Sequence, residues 1–207
     1  MEAKRNKKER FKLFWNILFP LFILFTFQTA HANAEDPNSP ENLLKEKWVA
    51  VTSILQNNDI DKKEKVKKVD KIISPIFDFP LMGKLSLGRE NWSELSPTQR
   101  EEFLKLFVTR LKYTYRRKIL LYKDEKAYFK QVVQKKKRAY LPMELISKEK
   151  KISILYKFHK LKKKWKVYDV EIEGVSILMT LRSQFNDILK HGNIKELLAE
   201  LRKKLED

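Results

Sequence analysis

Cysteine is absent from the 207 residues, and glycine (4) and histidine (3) are scarce. Without cysteine the chain forms no disulfide, no thiol nucleophile and no thiolate metal site. Glycine at roughly a third of its average frequency argues against a nucleotide fold whose loops cradle phosphates on bare backbone. Residues 83–90 read G-x-x-x-x-G-R-E, a false match to the phosphate loop, because its Lys and its Ser or Thr are missing. His31, His159 and His191 form no metal-spaced pair and read as exposed polar residues. Asp169, Glu171 and Glu173 alternate along one stretch, a spacing that a paired-carboxylate hydrolase uses. Nothing apolar beside them raises a pKa, so solvated, lysine-paired carboxylates are the plainer reading. The expectation is a protein that is not an enzyme, with no catalytic residue, no cofactor and no metal.

Acidic charge is also in short supply, 27 Asp and Glu against 45 Lys and Arg, for a net +18. Such an excess suits an anionic partner, either nucleic acid or acidic lipid, and the alternative is a solvated basic surface with no ligand. The lysines are spread through most segments and are not interleaved with stacking aromatics along one helix, which argues against nucleic acid. Lys4, Arg5, Lys7, Lys8, Arg10 and Lys12 precede an apolar stretch over 13–27 that Pro20 interrupts. Small residues at Ala30, Ala32 and Ala34 offer A-x-A sites, the layout of a signal peptide over 1–34 cleaved after Ala32 or Ala34. An uncleaved anchor is the alternative, and both place the folded part beyond the inner membrane. Removing 1–34 takes away six Lys or Arg and two Asp or Glu, which leaves +14 on residues 35–207, enough chain for a single domain.

Along that domain, Ser39 before Pro40 reads as an N-cap for a helix to about Gln56, and Asp61 with Glu64 caps a second helix ending before Pro75. Residues 76–87 are dense in Phe, Leu and Met and read as a short helix or two turns. Ser96, Pro97 and Gln99 open a long helix to about Tyr122, whose wide stripe through Phe103, Phe107, Leu111 and Tyr115 suits burial against a sheet or several helices. From 127 to 174 the period becomes two, giving strands over 128–135, 138–146, 150–160 and 164–173 joined as an antiparallel meander. In the last of these, Val167 is expected on one face and Tyr168, Val170 and Ile172 on the other, toward the helices. Helices over 176–191 and 193–204 follow. The fold class is α+β: N-terminal helices, a four-stranded or slightly larger antiparallel sheet, C-terminal helices, and an apolar interior between sheet and helices.

Two apolar stretches stand out: F-D-F-P-L-M-G-K-L-S-L-G-R over 77–89, and W-K-V-Y-D-V-E-I-E-G-V-S-I over 165–177, continued by L-R-S-Q-F over 181–185. With S-P-T-Q-R-E-E-F at 96–103 and G-N-I-K-E-L at 192–197, they resemble the MlaC family of periplasmic phospholipid carriers, also known as toluene-tolerance auxiliary transport proteins. The resemblance runs from about Leu43 to Lys204, and it departs at Gly83, where a small Ala is usual, and at Met179-Thr180-Leu181, where the family often has an Asn-Tyr before the Arg.

The resemblance implies a monomeric shuttle that binds a phospholipid by its acyl chains. It would exchange this cargo between an outer-membrane lipoprotein–porin complex and an inner-membrane ABC transporter with MCE domains, and so maintain outer-membrane asymmetry. The cargo is then the only bound molecule, with no nucleic acid. Candidate lipid-binding residues are Phe77, Phe79, Met82 and Leu85; Phe103, Phe107, Leu111 and Tyr115; Tyr168, Val170, Ile172 and Val175; and Ile177, Leu181 and Phe185. Packing in a closed core is the alternative for each. Arg89, Arg116 and Arg182 are candidates for the head-group phosphate, since Arg gives bidentate contacts. A hopanoid-like cargo and an exported adaptor without ligand are the other functional readings.

Overall fold

Side-chain caps start the helices where the sequence places them. In a computed structural model that describes residues 36, 38–120, 122, 124–148 and 150–203, Ser39 Oγ accepts the Asn42 N–H at 3.1 Å and opens α1, Pro40–Gln56. Of residues 116–119 only the backbone is described, and the leader expected over 1–34 lies outside the described residues. Asp61 caps α2, Lys62–Ile73, by accepting the Glu64 N–H. A 3-10 turn, Ser74–Ile76, leads to Asp78, which caps α3, Phe79–Leu87. Gly88, at φ 85°, ends α3 and starts α4, Arg89–Glu94, a left-handed backbone that glycine adopts without strain. Ser96 and Gln99 exchange side-chain bonds with each other's backbone N–H, a reciprocal capping box that opens α5, Pro97–Ile119.

The sheet has six strands: β1 Lys126–Phe129, β2 Val133–Lys135, β3 Arg138–Ile146, β4 Lys151–Leu161, β5 Lys164–Ile172 and β6 Val175–Ser176. Their order is β1-β3-β4-β5-β6, all antiparallel, with β2 also on β3. α6, Ile177–His191, and α7, Ile194–Lys203, complete the described chain. Among the described residues no helix is long and apolar enough to cross a membrane.

The α+β architecture follows the sequence reading, with two refinements. The first expected strand is two, because three residues, 130–132, oppose two of β3 between the pairs Phe129↔Met143 and Val133↔Tyr140. This break falls beside Pro142. The proline has no N–H to donate, and its carbonyl accepts the Lys130 N–H on that same side. The second refinement is a correction. The pairs Lys157↔Asp169 and Phe158↔Val167 leave Tyr168 as one extra residue, a bulge that reverses the alternation of β5. Val167 therefore shares the inner face with Val170 and Ile172, while Tyr168 packs edge-on against His159, ring centroids 6.0 Å apart.

The inner face is then three rungs across β3, β4 and β5: Ala139–Phe158–Val167, Leu141–Tyr156–Val170 and Met143–Ile154–Ile172. A separate apolar cluster joins α3, α5, α6 and α7 through Met82, Leu87, Phe103, Phe107, Phe185 and Leu197. There α3 lies so close to α5 that a Cβ on Gly83 would come within 2.6 Å of Leu104.

Candidate functional site: an apolar hollow between sheet and helices

Between the sheet and its helical cover lies a cavity of about 300 Å³. Its floor is the open end of the inner face: Met143, Ile154, Tyr156, Val170 and Ile172, with Phe129 from β1. Its walls are single stripes at helical spacing, Leu44, Trp48 and Val51 on α1, then Val66, Val69 and Ile73 on α2. Ile76, Phe77, Phe79 and Met82 close one side; Leu111 and Tyr115 of α5 and Ile177 of α6 close the other. The rings of Phe77 and Phe79 stack at 5.6 Å. That segment is pinned by the Asp78 N–H donating to the Val167 carbonyl at 2.8 Å, and by Asp78 Oδ2 against His159 Nε2 at 2.8 Å. His159, expected as exposed, is thus half-buried.

The charged side chains that line the hollow are Lys47, Asp70 and Lys112. Lys112 Nζ reaches Asp70 Oδ2 at 2.9 Å, and Ser74 Oγ donates to Asp70 Oδ1 at 2.9 Å, which ties α2 to α5. The lysine also sits 5.6 Å over the Phe79 ring. Burial pushes the Tyr156 hydroxyl up to about 12, and burial followed by the charge of Asp169 raises Tyr115. Both phenols are therefore neutral at physiological pH.

A second cavity of about 390 Å³ shares Leu111, Tyr115, Ile172 and Ile177 with the first, and adds Phe107, Val175, Leu181 and Phe185. Its other lining is polar: Arg110, Thr114, Thr180 and Gln184. Burial lowers the pKa of Arg110, against the attraction of Glu200.

Of the fifteen residues read from the sequence as lipid-binding, twelve line one or both cavities. Leu85, Phe103 and Tyr168 line neither. Leu85 is on the exposed side of α3, Phe103 is fully buried in the helical cluster, and the bulge turns Tyr168 to the outer face. Arg89 and Arg182 are exposed and line neither cavity, the Arg182 guanidinium lying against Gly88. The Arg116 side chain is outside the described residues. Sequence reasoning missed the α1 and α2 walls. Their signal was present as spacings of four and three, Leu44–Trp48–Val51 and, reversed, Val66–Val69–Ile73.

Asp169 is buried, not solvated. It accepts from Ser176 Oγ at 2.8 Å and from the Leu178 N–H at 3.2 Å, at the start of α6, and Lys157 Nζ stands 3.1 Å away. The carboxylate thus holds the α6 N-terminus onto β5, where the helix dipole favours negative charge. Burial disfavours the Lys157 cation, and the bonds to Asp169 and Glu171 override this, so its pKa is raised. Among the described residues no group of three or more His, Cys, Asp or Glu is placed to hold a metal.

An open antiparallel sheet roofed by helices over an apolar hollow defines an α+β protein with a cavity between its two layers. The chain belongs to the MlaC family, whose model matches residues 46–203. Its fold is similar to that of a phospholipid-binding protein from Ralstonia solanacearum, solved in complex with a phospholipid. The TM-score is 0.72 at 23% identity, over 80% of this chain and 96% of the other. No curated protein matches the chain.

Proposed function

We propose that this protein is a periplasmic lipid carrier that binds a phospholipid by its acyl chains in the hollow and moves it between outer-membrane and inner-membrane complexes. The observation that carries this reading is the hollow itself, walled by apolar side chains and bordered by Lys47, Lys112 and Asp70. Membership of the MlaC family and the likeness to a phospholipid-binding protein support it. A pocket of this size is at the lower end for drug-sized ligands, and two acyl tails need more room. The adjoining cavity behind Leu111, Tyr115 and Ile177 is the space into which the hollow widens as cargo enters.

Magnitude sets the mechanism. At ~0.8 kcal/mol per buried methylene, two tails of about thirty methylenes would forgo on the order of 24 kcal/mol on release into water. Release therefore takes place in a docked complex, where tails slide from one apolar groove into another, and the partners supply direction. The basic surface speeds encounter with acidic partner faces or anionic lipid. The leader over 1–34 delivers the chain to the compartment where such partners meet. Nothing in this cycle requires a catalytic group. Organic extraction of the purified protein followed by mass spectrometry tests the reading: about one phospholipid per chain is expected, and stoichiometrically empty protein contradicts it.

A further inference from the structure

Tyr156 is a polar group where an apolar one would serve as filling. It stands on the central strand β4, in the rung between Leu141 and Val170, and its side chain lines the hollow. Burial holds its hydroxyl protonated, so it is able to donate a hydrogen bond. Among the described residues the Tyr156 hydroxyl has no hydrogen-bond partner, and no sealed polar side-chain atom is without one, so this oxygen opens onto the hollow. On the outer face of the sheet the Tyr168 phenol is, by contrast, hydrogen-bonded to Tyr140. With acyl tails filling the hollow, a hydroxyl left unpartnered carries a desolvation cost that phenylalanine would avoid at nearly the same volume. The acceptor is therefore to be sought in what fills the hollow.

Methylenes offer no acceptor. A diacyl lipid carries two kinds, its neutral ester carbonyls and its charged phosphate oxygens. The cations that line the hollow, Lys47 and Lys112, stand on α1 and α5 and not on the sheet, and an anion carried down to the floor would leave them. We propose that Tyr156 Oη donates a hydrogen bond to an ester carbonyl oxygen of the bound lipid, which makes the site selective for ester-linked over ether-linked cargo. The contact rests on the carrier reading and deepens it, because it places the glycerol ester region, and not only the tails, against the sheet floor.

The test is displacement of a fluorescent lipid from the delipidated full chain by diester and by diether phosphatidylcholine of equal chain length. The wild type is expected to prefer the diester about 3- to 10-fold, the worth of one net hydrogen bond. Tyr156→Phe is expected to lose that preference by weakening diester binding alone, with diether binding unchanged. Equal affinity of the wild type for the two lipids overturns the contact and needs no variant to show it. A preference that survives in Tyr156→Phe also overturns it. If the wild type binds neither lipid, the carrier reading falls and the contact falls with it.

Discussion

Two apolar clusters of similar composition end in opposite states. Among α3, α5, α6 and α7 the side chains fill their own space: Leu87, Phe103, Leu197 and Leu201 have no exposed surface, and the Phe103 ring meets Phe185 at 5.7 Å and Phe107 at 5.9 Å. On the sheet side the rung of Phe158 and Val167 is equally dry, yet the two rungs beyond it open into the hollow. The difference lies in how closely the elements approach one another. The helical cluster brings long Phe and Leu chains together across a Gly83 contact. The hollow is lined by side chains as large, Trp48, Phe77, Phe79, Tyr115 and Tyr156 among them, together with Val51, Val66 and Val69, and still stays open. Hydrophobicity and side-chain size alone therefore do not distinguish core from site; the closeness of the packed elements does.

The contrast breaks most visibly in the solid cluster. Phe103→Ala is expected to cost about 3–5 kcal/mol in urea denaturation, by transfer and cavity terms together, with lipid per folded molecule unchanged. Next comes the tie between the regions: Asp169→Ala strands the Ser176 hydroxyl, the Leu178 N–H and Lys157, at a cost of about 2–3 kcal/mol in the same measurement. A third test is pH. The Tyr156 hydroxyl titrates near 10.0 when unfolded and about 12 when folded, so its contribution is whole below pH 10 and is lost as pH rises toward 12. Alkaline denaturation should cost the wild type on the order of 2 kcal/mol more than Tyr156→Phe across that window. Smallest in stability is Val66→Trp, which adds volume where space exists. It is expected to shift stability by less than about 1 kcal/mol while lowering co-purified lipid severalfold, as read by extraction and mass spectrometry.

Much of this was legible in the sequence, for local reasons. Ser39, Asp61 and Ser96 cap helices through their own side chains, and the four-residue repeat of Phe103, Phe107, Leu111 and Tyr115 shows which face of α5 turns inward. What a repeat cannot show is where along its length the packing changes from solid to open, which is why Phe103 falls in one cluster and Leu111 on the cavity. The phase of β5 was misread because a bulge adds a residue without any glycine or proline to announce it, so Val167 and Tyr168 exchange faces. The α1 and α2 walls carried a clear stripe, but an amphipathic helix does not name the layer it covers. Asp169 looked solvated from its alternating neighbours, and its partners at Ser176 and Leu178 meet it only across the turn that follows β5.

Trp48 lines the hollow, whereas Trp92 packs on Phe103 in the solid cluster, ring centroids 6.4 Å apart. Fluorescence of two variants, one retaining Trp48 and one retaining Trp92 as its only tryptophan, read with phosphatidylcholine brominated along its tails, compares the regions in one experiment. Strong quenching of Trp48 is expected, and none of Trp92 beyond that given by unbrominated lipid. Unquenched Trp48 with lipid bound, or equal quenching of both, would contradict it.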